Sequence, residues 1–282
     1  MKNGIDLHTD SARSDGSMEP GELVRKAVEI GLKTIALTDH DTVAGIEEAL
    51  FTAEQTDVEV IPGIEISAFD NIEYHVLGYF NRYSYKLIEP YSIALREKRN
   101  ERNPKIVKKL RDFGYDITME DVLRQGEPGA VIGRLHIAKA LVEKGITASI
   151  SEAFAEFLAE GKKAYVPRER LTPEESVALI RKCGGVPVLA HPKFLHLNKT
   201  QLTAFLENMK KVGLMGLEVY YTENTKEETE YFEKLAEELG LLKTGGSDYH
   251  GENKENQVLG SGVTDIETGE EIVANLKKFL SL

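Results

Sequence analysis

The chain has 282 residues, 41% hydrophobic and 29% charged, with a formal net charge of −12, enough for one large α/β domain or a barrel carrying an insertion. That acidic balance excludes broad electrostatic binding to duplex nucleic acid but not a small phosphorylated substrate, and no apolar run reaches the ~20 residues that span a bilayer. The opening MKNGIDLHTD lacks the apolar stretch of a secretory leader, and the single cysteine, Cys183, excludes an internal disulfide framework, so a cytoplasmic protein is expected.

In chain order, a β-rich run at 4–8 precedes a helical pattern at 20–30, where Leu23, Ala27 and Ile30 share a face and Gly31 is a stop signal. A strand follows at 34–37, a helix at 42–55, and strands at 59–66 and 75–79. From 84 to 163 no strand pattern occurs, only helical stretches separated by Pro104, Gly114, Gly126, Pro128 and Gly145. Alternation then resumes: helix 173–182, strand 186–190, helix 199–212, strand 216–219, helix 226–239, strand 242–245 and helix 269–280. The pattern predicts a mostly parallel sheet covered by helices, and about seven strands predict a closed or nearly closed barrel. The expected fold is therefore α/β: a seven-stranded barrel from 1–83 and 164–282, with 84–163 a helical insertion over its mouth. Within that insertion, residues 96–111 hold eight basic side chains against Glu97 and Glu101. They form either a solvated helix face or a positive wall toward a phosphorylated substrate, two readings of equal weight.

The histidines and certain carboxylates fall at the strand ends. His8 and Asp10 follow the first strand, with Asp15 in the loop beyond; His40 follows the second; Glu65 ends the third; His75 opens the fourth; His191 follows the fifth; Asp248 and His250 follow the last. Five of the seven histidines and four carboxylates thus share one rim, the end where β/α barrels build active sites. One such residue is usually a cap or turn residue. Nine share only one purpose, because imidazole nitrogen and carboxylate oxygen are what Zn²⁺, Mn²⁺ and Fe²⁺ accept. Four carboxylates in one cavity are costly without compensation. Two divalent cations neutralise them and three leave an excess suited to a phosphate dianion, so two to three divalent ions are expected. Neither GxxxxGK[ST], GxGxxG nor GxSxG occurs, which argues against P-loop, Rossmann and serine-nucleophile chemistry.

In order, DLHTDSARSDG, ALTDHD, GIEIS, HVLGY, AHP and GSDYHG resemble the motifs of the polymerase and histidinol phosphatase (PHP) superfamily over nearly the whole chain. GRLHIAKAL and GKKAYVP bring the resemblance closest to the nucleoside 3′,5′-bisphosphate phosphatases. It implies a distorted (β/α)7 barrel with a trinuclear site, hydrolysing phosphoesters with a metal-bound hydroxide held by Glu65, His8, Asp248 and His191. The implied ligand sets are His8, Asp10, Glu65 and Asp248 for a first metal, Glu65, His75 and His191 for a second, and Asp15, His40 and His250 for a third. His8-Thr9-Asp10 departs from the family's usual His-x-His, and the extra carboxylate shifts preference from Zn²⁺ toward Mn²⁺, Fe²⁺ or Mg²⁺. The resemblance also implies that Arg134 and His136 hold substrate phosphate, with Arg99, Arg102 and Lys162 contributing less. Asp39 would orient a ligand, and His196 is a loop histidine or a leaving-group acid.

The expected function is a metal-dependent phosphoesterase removing the 3′-phosphate of a small nucleotide such as a nucleoside 3′,5′-bisphosphate. A 5′-3′ exonuclease on short oligonucleotides ranks second, because the basic stretch has only Tyr91, Phe113 and Tyr115 beside it and the chain has no tryptophan. A histidinol-phosphate-type phosphatase ranks third and a non-catalytic metal-bound module last.

Overall fold

Seven strands lie side by side in sequence order in the computed structural model, which describes residues 4–254 and 256–280; the outer ends of the expected barrel segments, 1–3 and 281–282, and Glu255 lie outside these. The strands are β1 (Ile5–Thr9), β2 (Thr34–Leu37), β3 (Glu59–Asp70), β4 (Ile72–Tyr79), β5 (Val186–Leu189), β6 (Gly216–Tyr221) and β7 (Leu242–Gly246). The sheet curls until β7 approaches β1, where the Asp10 amide donates to the Tyr249 carbonyl at 2.9 Å. Contact is close there: a Cβ on Gly246 would sit 2.5 Å from the His8 amide nitrogen, so only glycine fits. Asp6, fully buried, accepts from the Ser247 amide and hydroxyl and from the Gly260 amide, and burial pushes its carboxyl up to about 6. The barrel is nearly closed.

Helices α1 (Pro20–Ile30), α2 (Ile46–Ala53), α7 (Pro173–Lys182), α8 (Lys199–Lys211), α9 (Lys226–Leu239) and α10 (Ile266–Leu280) belong to the barrel segments. α1 shows why they form. Pro20 fits its first turn, Leu23, Val24 and Ala27 make one buried stripe, and Gly31 ends it at φ 79°. Leu7, Ala36, Leu77, Tyr79 and Val188 belong to one buried apolar cluster. Burying each such large side chain favours folding by about 1.5–3 kcal/mol.

Four of the six strand pairings are parallel, and β3–β4 and β4–β5 are antiparallel. A hairpin turned at Asn71, φ 58°, joins β3 to β4 and extends both strands beyond their expected limits. The Asp-Asn pair is its sequence signal. Because β4 runs backward, its first half, with His75, lies at the rim where the parallel strands end.

Between β4 and β5 come α3 (Glu89–Asp112), α4 (Met119–Leu123), α5 (Arg134–Glu143), α6 (Ile150–Ala153) and a π turn at Phe154–Leu158. Ile106, Leu110, Ile137, Leu141 and Phe157 form an apolar cluster of their own. The expected break at Pro104 does not occur, and α3 runs through it. An interior proline costs a helix about 3 kcal/mol, but packing holds both halves: Leu95 joins the barrel cluster, whereas Ile106, Val107 and Leu110 join the helical one. No helix among the described residues is long and apolar enough to cross a membrane.

Candidate metal centre

Each strand delivers its chemistry at the rim. His8, near the end of β1, is fully buried; its Nδ1 lies 3.0 Å from Glu218 Oε1 on β6, and its Nε2 faces Glu65 and Asp248 at 3.3 and 3.4 Å. The following loop turns tightly, with the Ser14 and Gly16 amides both donating to the Ser11 carbonyl. A Cβ on Gly16 would lie 2.2 Å from the Asp10 carbonyl oxygen. Asp39 ties this loop down, accepting from the Ser11 amide at 2.8 Å and the Ser11 and Ser14 hydroxyls at 2.7 and 2.6 Å. Asp15 Oδ1 thereby comes within 3.3 Å of His250 Nε2.

Glu65 is the hub. Its Oε2 lies 2.8 Å from His40 Nδ1, and its Oε1 lies 2.9 Å from His75 Nδ1 and 3.2 Å from His191 Nε2. His191 and Asp248 sit at φ 25° and 54°, a region costing a non-glycine residue about 1–3 kcal/mol unless its surroundings impose it. Here they do. The His191 amide donates to Glu218 Oε2 at 2.7 Å, and Asp248 Oδ2 accepts from the Tyr221 hydroxyl, Gln257 and Lys254.

Three sets of donor atoms lie within 4.8 Å of one another: His8, Asp10, Glu65 and Asp248; His40, Glu65 and His75; and Asp15, His40 and His250. The first and third coincide with sets expected from the sequence. In the second, His40 stands with Glu65 and His75, while His191 Nε2 lies 3.2 Å from both Glu65 Oε1 and His75 Nδ1. His40 thus borders two sets.

These donors fit divalent cations. Buried side-chain atoms without a hydrogen-bond partner include His8 Nε2, Asp10 Oδ2, Asp15 Oδ1, His40 Nδ1, Glu65 Oε2, His191 Nδ1 and His250 Nε2. Buried polar groups rarely go unpaired, so such a concentration marks a place for an ion. The electrostatics agree. Burial opposes protonation of His75 and His250, but carboxylates override it and push the imidazoles up to about 10 and about 9. Burial likewise opposes ionisation of Glu65, yet His40, His75 and His8 hold it well below the usual range. Asp10 is pushed up to about 7, chiefly by burial. Protonated imidazoles thus stand in for cations, and metal ligation would take the place of those protons.

Beside the rim stands a group of arginines. Arg134, first residue of α5, donates to Glu73 Oε2 at 2.9 Å, and Arg99 on α3 donates to Asp41 at 2.8 Å and to the Ser67 hydroxyl at 2.8 Å. Both line a cavity of about 350 Å³ with Asp15, His40, His75, His191, Asp248, Lys254, Phe154 and Phe194. Arg102 is buried and donates to its neighbour Asn103. Burial, followed by repulsion from Arg99, Arg168, Arg134 and Arg170, pulls its guanidinium down to about 8. Of the eight basic residues at 96–111, Arg99 and Arg102 are the two that are buried. His136 turns inward, its Nδ1 accepting from the Gly133 amide, and burial lowers it to about 4. Lys162 and His196 are exposed and outside the cavity lining.

Sequence reasoning passed over Arg168, Arg170, Glu73, Glu218 and Lys254. Arg168 reaches Asp41 at 3.0 Å and Arg170 reaches Glu73 at 2.8 Å. They stand two apart in VPRERL, the spacing of side chains on one side of an extended segment, and Leu171 accepts from the Phe69 amide of β3. For Glu218 the available signal was a carboxylate inside the apolar strand GLEVYY.

A sequence profile described as PHP domain matches residues 6–169. The 5′-3′ exoribonuclease Rnm of Escherichia coli is 33% identical over 87% of this chain and 84% of its own length. The 3′,5′-nucleoside bisphosphate phosphatase of Chromobacterium violaceum is 28% identical over 87% of each. A solved structure from Bifidobacterium adolescentis, described as a candidate metal-dependent phosphoesterase, is 34% identical, with a TM-score of 0.82 over 97% of this chain and 96% of that one.

Proposed function

The chain belongs to the PHP family and is a metal-dependent phosphoesterase, and on that premise we propose that it removes the 3′-phosphate of a small nucleotide that carries a second phosphate. One observation carries this reading: carboxylates and imidazoles of the rim and arginines of the helical segment line the same cavity of about 350 Å³, a size that suits a single small ligand. The reacting phosphate would lie toward the rim and the second phosphate against Arg134, whose planar fork suits bidentate recognition.

In this reading His8, Asp10, Asp15, His40, Glu65, His75, His191, Asp248 and His250 hold two or three divalent ions, Mn²⁺ favoured by the oxygen-rich first set. Bound there, the ions supply charge neutralisation at the phosphate oxygens and a water acidified toward neutral pH. The protein's own groups do the rest. Glu218 keeps the His8 proton on Nδ1, leaving Nε2 as a donor atom. Asp39 fixes the loop bearing Asp10 and Asp15. Glu73 aims Arg134 and Arg170. Residues 84–163 act as a cap that excludes water and carries the anchor.

A phosphate-release screen with Mn²⁺ tests this. The account expects the highest kcat/KM on nucleoside 3′,5′-bisphosphates, ahead of monophosphates and histidinol phosphate. Equal turnover of monophosphates removes the second-phosphate anchor. A second reading, stepwise 5′-3′ cleavage of short RNA, is favoured by the 33% identity to the exoribonuclease, since the same anchor suits a 5′-terminal phosphate. Release of nucleoside 5′-monophosphates from a 5′-phosphorylated trinucleotide would establish it.

A further inference from the structure

Phe194 is 42% exposed, although the residues around it in the turn Pro192–Leu195 include the buried Pro192 and Leu195. Single exposed apolar residues are ordinary on protein surfaces. This one lines the cavity that also holds His191 and Arg134. Its ring is fixed from two directions: it lies 5.4 Å from the His191 ring, tilted at 59°, and 5.7 Å from Tyr221 at 86°. Tyr221 is itself anchored through its hydroxyl to Asp248. Lys193, 5.9 Å from the Phe194 centroid, is drawn toward Glu228 and stands at the outer limit of a cation–π contact. The other phenylalanine of the cavity, Phe154, already carries the Arg134 guanidinium 5.9 Å from its ring. It belongs to the anchoring side.

We infer that Phe194 is the surface on which the substrate's nucleobase stacks, which makes the site selective for nucleosides over sugar phosphates that lack a base. This rests on the nucleotide reading above. A π-face accepts every base, so the preference is for a base as such and not for one sequence. Preorganisation by His191 and Tyr221 lowers the ordering cost of stacking. The aromatic sits immediately beyond β5, not along the basic helix α3.

The chain contains no tryptophan, so Phe194→Trp creates a single reporter. Its emission should be quenched saturably by adenosine 3′,5′-bisphosphate but not by 1,2-dideoxyribose 3,5-bisphosphate, which has both phosphates and no base. Phe113→Trp, at an exposed position beyond α3, should respond to neither. Phe194→Ala should lower kcat/KM for the adenosine compound by about ten- to a hundredfold more than for the baseless compound. No quench by the nucleotide, equal quench by both, or equal kinetic losses on both would overturn the inference. Failure of the wild-type enzyme to hydrolyse either compound defeats the proposed reaction instead, and the quench titration still decides the stacking platform.

Discussion

The rim of the barrel and the arginine wall beside it, which reaches their shared cavity through Arg99 and Arg134, have opposite deficits. The rim brings four carboxylates and five imidazoles into mutual contact, and seven of its buried nitrogen and oxygen atoms make no hydrogen bond and are short of cations. The wall gathers Arg99, Arg134, Arg168 and Arg170 on two carboxylates, Asp41 and Glu73, with the buried Arg102 close enough to be repelled by those arginines, and is short of anions. A metal ion with a phosphate on it would satisfy both at once. The regions also differ in how they are held. Rim residues sit on strands or in the short loops just beyond their ends and converge on Glu65, whereas the wall comes from helices and an irregular segment packed partly on the barrel cluster and partly on a separate apolar one.

Breaking the rim should cost most. Glu65→Ala removes the carboxylate that touches four imidazoles, and phosphate release should fall about a thousandfold or more, since bound metals supply several kcal/mol of transition-state stabilisation. An activity within tenfold of wild type would detach Glu65 from the chemistry. Glu218→Gln should weaken metal affinity by about 10- to 100-fold, read by metal titration, because it loosens both His8 and the strained His191 backbone. Unaltered affinity would leave Glu218 a packing residue. On the wall, Arg134→Ala should raise KM for a bisphosphate about tenfold, the loss of a charge-assisted hydrogen bond, with kcat little changed; a fall in kcat alone would move Arg134 from anchoring to chemistry. Lys162→Ala should change KM less than twofold, as expected of an exposed charge. A tenfold rise would extend the wall to a side chain that stands outside the cavity lining.

The same two regions differ in how far the sequence spoke for them. Strand runs bounded by glycines and helix caps are local signals, and the expected strands at 34–37 and 186–190 lie within a residue of those observed. The rim residues were legible because a strand end fixes where its next side chain goes. The β3–β4 hairpin was not, since reversal depends on a single Asp-Asn pair with neither glycine nor proline beside it. The unbroken α3 was not, because Pro104 weighs against a helix locally and only burial on both sides offsets it. Arg168 and Arg170 sit in a segment without periodicity, so only packing beside β3 reveals their direction. Phe194 is one phenylalanine among ten in the chain, and nothing but the cavity distinguishes it.

The claim that the rim gathers cations is tested most directly by anomalous diffraction from crystals grown with saturating Mn²⁺. The account predicts at least two anomalous peaks, one among His8, Asp10, Glu65 and Asp248 and another among Asp15, His40 and His250. A rim that shows no peak under those conditions contradicts it.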